Sequence, residues 1–106
     1  MARERFQTLT EQMFYILLCL RCERCGADVM EQVRRITHDR VVIGPGTLYS
    51  LLESFEREGF IRQTKVEGRK RSYVITSDGS KRLEQEVERL RRQVEDYAGF
   101  GEEAFA

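Results

Sequence analysis

The chain has 106 residues, 18 basic and 18 acidic side chains, a single histidine and three cysteines, so its formal net charge at pH 7 is zero. That length suits one domain with a modest core. One histidine supplies no nucleophile–base–acid set, and neither a phosphate-binding loop nor a paired-carboxylate pattern occurs, so catalysis is not expected.

In chain order, the first predicted helix follows Thr10 as its N-cap and runs from Glu11 to Leu20. Its apolar run, Met13 to Leu20, is too short to span a bilayer and lacks a cleavage site, which predicts a cytoplasmic chain with no membrane partner. Apolar residues surround this helix almost completely, so it needs cover on most sides, and a partner subunit would supply what a small monomer lacks. A second helix follows Gly26, with Val29, Val33 and Ile36 inward and Glu31, Arg34 and Arg35 outward. After the polar connection Thr37-His38-Asp39-Arg40, the β-branched run Val41-Val42-Ile43 reads as a short third strand of a small sheet.

The third helix opens at Gly44-Pro45-Gly46, where proline is tolerated in the first turn, and stops at Gly59. Leu48, Leu51, Leu52 and Phe55 give it one apolar face. Thr47, Leu48, Tyr49 and Ser50 open it, and a major groove admits such a helix and is read by its first turns. Two β-rich runs follow, Phe60 to Val66 and Arg71 to Thr76, joined by a turn centred on Glu67-Gly68. Residues 60–75 carry five bases against one acid, while residues 95–106 carry four acids and no base. Zero net charge therefore hides a basic hairpin and an acidic tail. A helix followed by a basic hairpin is the layout of a winged helix, with Lys65, Arg69, Lys70 and Arg71 placed for phosphates and for entry into the minor groove.

The last helix is predicted from about Thr76 to Tyr97, ending before Gly99. Leu83, Val87, Leu90, Val94 and Tyr97 recur at spacings of four, three, four and three among dense mixed charges, which is a heptad seam. A seam so flanked calls for a partner helix, and two copies would present two recognition helices to a two-fold-symmetric DNA site.

Cys19, Cys22 and Cys25 form a C-x2-C-x2-C run with no fourth cysteine. Three readings stay open: a small core residue with two thiols on the exit turn, a redox-sensing set beside Arg21 and Arg24, or part of a metal site. No cofactor and no bound metal is expected, and His38 reads as a surface loop residue.

The strings Leu9-Thr10-Glu11-Gln12-Met13-Phe14-Tyr15-Ile16-Leu17-Leu18, Gly44-Pro45-Gly46-Thr47-Leu48-Tyr49, Leu52-Glu53, Glu58-Gly59-Phe60-Ile61 and Gly68-Arg69-Lys70-Arg71-Ser72-Tyr73 together resemble the PadR family of bacterial transcriptional regulators. The resemblance covers roughly residues 9–97, and the single C-terminal helix is similar to the compact branch. It implies a homodimeric repressor of its own or a neighbouring operon, acting on a pseudo-palindromic double-stranded operator. It also implies relief by a small apolar effector bound between subunits near the first and last helices, here Phe14, Tyr15, Leu90, Val94 and Tyr97. Two departures stand out. Cys25-Gly26-Ala27-Asp28 replaces a His-Gly-Tyr-Glu-like start to the second helix, so a polar aromatic is missing. The seam centre is Leu90 where multidrug-binding relatives carry tryptophan, which argues against flat aromatic effectors.

The expected architecture is mainly α with a small β-hairpin: a winged helix-turn-helix DNA-binding domain over residues 1–76, a C-terminal dimerisation helix over 77–98, and a flexible acidic tail over 99–106. The rival readings are a winged-helix module that binds protein and a thiol-based redox sensor regulating transcription.

Overall fold

The structure, a computed structural model, describes residues 8–100. The first helix, α1 (Glu11–Cys19), is capped as its sequence suggests: the Thr10 hydroxyl accepts a hydrogen bond from the Met13 N–H at 3.2 Å. Ile16, Leu17 and Leu20 are fully buried, while Met13, Phe14, Tyr15 and Leu18 stay partly open, so the helix does lack full cover within one chain.

Two residues of strand, β1 (Arg24–Cys25), lead directly into α2 (Gly26–Ile36). Val29 and Val33 enter the core as expected. Ile36 does not: it is the last helical residue and lies exposed. The connection to the third helix is shaped by two consecutive left-handed residues, His38 (φ 52°) and Asp39 (φ 62°), both residue types that tolerate that region. Thr37 holds the turn together, its hydroxyl donating to the Val33 carbonyl at 2.7 Å and accepting from the Val41 N–H at 3.1 Å. Arg40 pins it to α1 through Glu11 (2.6 Å) and the Tyr15 hydroxyl (3.1 Å).

Val41-Val42-Ile43 is not a strand. Val41 and Ile43 are buried and Val42 is exposed, so the run alternates like one, but it packs as an extended linker without ladder partners. The third strand of the sheet is β1 instead. In the antiparallel order β1-β3-β2, Arg24 faces Tyr73 and Cys25 faces Ser72.

Helix α3 (Pro45–Arg57) begins with Pro45 in its first turn and is capped by Glu58, just before Gly59, whose φ of 80° suits glycine. Leu48, Leu52 and Phe55 fill the centre of the core, with Leu51 at its margin. The wing follows as β2 (Ile61–Glu67) and β3 (Lys70–Ile75). Its two linking residues are Gly68 and Arg69, one position beyond the predicted turn centre, with Gly68 at φ 65°. A bulge between Gln63 and Lys65 shifts the register.

Helix α4 (Ser77–Phe100) is anchored by Thr76, whose hydroxyl donates to the Gly59 carbonyl at 2.6 Å and accepts from the Gly79 N–H at 3.0 Å. Gly79 lies so close to the residue before β2 that any Cβ there would collide with the Phe60 carbonyl oxygen. Further along, Glu86 is almost fully buried, accepting from the Leu9 N–H at 3.2 Å and pairing with Arg89 and with Arg82 at 3.6 Å. The helix does not stop before Gly99 but continues through it to Phe100. The remaining tail, 101–106, lies outside the described residues.

Candidate nucleic-acid interface

Helix α3 divides cleanly into two faces. Leu48 is 0% exposed and belongs to the core, so it cannot meet base edges as expected. Its i+4 and i+7 neighbours, Leu52 and Phe55, bury the same stripe. The opposite face presents Gly46, Thr47, Tyr49, Ser50 and Glu53 to solvent. These short or flat side chains leave the first turns free to approach another surface closely.

Tyr49 has a second relation that spacing alone does not reveal. Its ring lies over Gly26, the first residue of α2, so closely that a Cβ on Gly26 would stand 2.8 Å from the Tyr49 hydroxyl oxygen and 2.9 Å from Cε1. Glycine at that position lets the ring settle against the start of α2. The contact draws together two helices and, with β3, a shared cleft of about 680 Å3.

One wall of this cleft is the opening of α2, from Cys25 to Asp28; another is Tyr49; the third is the wing, with Arg69, Lys70, Arg71 and Tyr73. The first N–H groups of a helix lack intrahelical partners and carry the positive end of its dipole, so an anion is stabilised there. Three wing cations add to that field, against Asp28 as the acid on the same lining. Arg71 is steered from the adjacent strand, donating diagonally to the Gln63 side-chain oxygen at 3.3 Å. Burial pushes the Tyr73 phenol up, Glu56 adds to the rise and Arg71 opposes it, so Tyr73 stays neutral among these cations.

Of the expected DNA-facing residues, the fold thus gathers Tyr49, Arg69, Lys70 and Arg71 around one cleft. Thr47 and Ser50 lie exposed on α3, and Lys65 is exposed on β2, outside the cleft lining. The start of α2 is a part of the site that residue spacing did not point to. The family resemblance did point there, since relatives often place a DNA-contacting polar aromatic where this chain has Cys25-Gly26-Ala27-Asp28.

The seam residues of α4 separate in a similar way. Leu83 is 6% exposed and packs into the chain's own core, so it is not available to a partner. Val87, Leu90, Val94 and Tyr97 are exposed, the last two more than the first two, with Tyr97 at 83%, and Phe100 extends the same apolar series. Between α1 and α4 lies a cavity of about 220 Å3 lined by Phe14, Leu18, Arg21, Ser80, Leu83, Glu84 and Val87. Phe14 is the one expected effector contact on this lining. The Tyr15 hydroxyl is held by Arg40, and Leu90, Val94 and Tyr97 lie farther along α4.

Among the described residues no group of three or more histidine, cysteine or acidic side chains is placed to hold a metal ion, and no helix is long and apolar enough to cross a membrane.

The sequence profile of the transcriptional regulator PadR-like family matches residues 16–85. Among solved structures, the fold is similar to a transcriptional regulator from Clostridium thermocellum (TM-score 0.72, 24% identity, covering 87% of this chain and 93% of that one). It is similar as well to a PadR family transcriptional regulator from Eggerthella lenta (TM-score 0.68, 23% identity, 83% and 78% covered). A third likeness is to Bacillus subtilis PadR in complex with operator DNA (TM-score 0.63, 23% identity, 72% of this chain and 47% of that longer one). No curated protein sequence matches the chain significantly.

Proposed function

The chain belongs to the transcriptional regulator PadR-like family, and from that premise we propose that it is a homodimeric repressor that binds a pseudo-palindromic operator of its own or a neighbouring operon. The observation that carries the reading is the cleft in which Tyr49, the α2 N-terminus and the Arg69-Lys70-Arg71 cluster converge. A duplex laid along it brings one phosphate strand to the wing and the start of α2, while Thr47, Tyr49 and Ser50 enter the major groove. The likeness to a family protein captured on operator DNA supports double-stranded DNA as the partner.

Dimerisation through α4 is supported by the stripe of Val87, Leu90, Val94 and Tyr97, exposed on a helix whose flanks carry ion pairs such as Glu88 with Arg91 (2.9 Å) and Arg92 (3.2 Å). Exposed apolar groups at heptad spacing are what a second copy of the same helix would cover. The cavity beside Phe14, enlarged by the partner's α4, would be the place for a small apolar effector that relieves repression. Such a regulator would act in the cytoplasm.

In vitro selection from random duplexes should enrich an inverted repeat. Sedimentation velocity on the selected duplex should then give two chains per site. Enrichment of no sequence, or a complex with a single chain, would contradict the proposal.

A further inference from the structure

The C-x2-C-x2-C run is the motif that DNA binding leaves unused. Its thiols divide between two clefts. Cys25 lines the DNA cleft. Cys19 and Cys22 instead share a separate cleft of about 410 Å3, together with Arg21, Arg24, Gln32 and Ile36. Cys22 is exposed there, and Cys19 is buried.

The two residues lie three apart in sequence, on either side of Leu20 and Arg21 where the chain turns out of α1, and both line this one cleft. A disulfide between them requires their Cα atoms to come within roughly 4.4–6.8 Å. Cys22 is open to a dissolved oxidant. Burial pushes the Cys19 thiol up, with Arg24 opposing, so Cys19 stays a protonated thiol until a reactive sulfur is brought to it.

We propose that Cys22 is a peroxide-reactive thiol and that its oxidation to a disulfide with Cys19 switches the DNA cleft off. The Cys22 sulfur attacks one peroxide oxygen, the O–O bond breaks, and a sulfenic acid and one water result. The Cys19 sulfur then attacks the sulfenic sulfur. The S–S bond forms, the S–O bond breaks, and the departing hydroxide leaves as a second water with the Cys19 proton. Two thiols are oxidised by two electrons and one peroxide is reduced to two waters.

The link to DNA runs through a short, tightly held segment. Leu20 is fixed to β3 by its carbonyl, which accepts from the Ile75 N–H at 2.7 Å. Arg24 is fixed twice, by pairing with Tyr73 and by its Nε donating to the Cys19 carbonyl at 2.9 Å. Residues 21–23 span the distance between these anchors. Drawing exposed Cys22 inward to Cys19 therefore pulls on Arg24 and Cys25, and Cys25 is the N-cap of α2, directly before the Gly26 on which Tyr49 rests.

This switch rests on the DNA-binding reading, and the test keeps the two apart. Reduced full-length protein is first titrated with the selected operator; absence of binding at this stage overturns the function before any oxidant is added. Hydrogen peroxide should then remove two hydrogens from the segment holding Cys19 and Cys22, seen by peptide mass spectrometry. Operator affinity should fall about tenfold, equivalent to ~1.4 kcal/mol, and return with dithiothreitol. Cys22→Ser and Cys19→Ala should each bind as the reduced wild type does and ignore peroxide. Cys22→Ser, at an exposed position, decides the matter even if Cys19→Ala folds poorly. A Cys19–Cys22 disulfide that leaves operator affinity unchanged overturns the proposal. So does a Cys22–Cys22 bond between two chains, or a peroxide response that survives in Cys22→Ser.

Discussion

Replacing Gly26 with alanine tests whether the Tyr49–Gly26 contact sets the position of the recognition helix's aromatic side chain. The added methyl would stand 2.8 Å from the Tyr49 hydroxyl oxygen, 2.9 Å from Cε1 and 3.0 Å from Cζ. Ordinary contact lies near 3.5 Å or beyond, so the ring must withdraw by roughly 0.7 Å or more. Tyr49 is half exposed, whereas Gly26 is held by the β1 pairing just before it, so the ring moves and the backbone stays. Alanine is the better helix former by up to about 1 kcal/mol, less at a first helical position, so the melting temperature should hold or rise slightly. Operator affinity should nevertheless fall by about 1–3 kcal/mol, the usual worth of a base-edge contact. Fluorescence anisotropy on the selected operator, beside a circular-dichroism melt, reads both. In a Tyr49→Ala background the Gly26→Ala change should add almost nothing, because both act through one ring. Wild-type affinity in Gly26→Ala, or an equal loss with and without Tyr49, would refute this reasoning.

Leu90→Glu should place a charge in the α4 stripe and yield monomers in sedimentation equilibrium, whereas a wild-type chain that is monomeric at micromolar concentration would remove the basis for a dimer. Glu86→Gln should lower the melting temperature at neutral pH and flatten its loss in acid. Burial alone would raise the Glu86 carboxyl, but the Arg89 hydrogen bond, the Leu9 N–H and the charges of Arg89 and Arg82 outweigh it and hold it below the ordinary 4.5. A carboxyl depressed on folding contributes stability above its unfolded value, and that contribution is lost as pH falls through the folded one. Melts of wild type and Glu86→Gln from neutral pH to below 4.5 should therefore converge in acid, and parallel curves would contradict the assignment.

The third helix and the wing were legible because their signals are local: proline at the first turn, glycines at the stops, apolar spacing of three and four, and clustered bases. What escaped the sequence was set by distant contacts. Val41-Val42-Ile43 has strand-like residues and strand-like alternation, yet its backbone finds no ladder, while Arg24-Cys25 pairs because the Leu20 carbonyl is already bound to Ile75. Leu48 and Leu83 satisfied two apolar patterns at once, and burial within the chain claimed both. Gly99 did not end α4, since a glycine inside an exposed helix costs only about 1 kcal/mol and no proline follows. The Gly26–Tyr49 contact joins residues 23 apart in sequence, and no periodicity encodes it.

The role of α3 and the wing on DNA is read most directly from how binding divides between charge and sequence. Wild type, Arg69→Ala and Tyr49→Ala should be titrated on the selected operator and on a scrambled duplex at several salt concentrations. Loss of Arg69 should weaken binding to both duplexes and shallow the log–log salt dependence by about one unit. Loss of Tyr49 should cost about 1–3 kcal/mol on the operator and leave the scrambled duplex nearly unchanged. If both variants lose the two duplexes equally and with the same salt slope, α3 does not read sequence and the assignment of this surface is wrong.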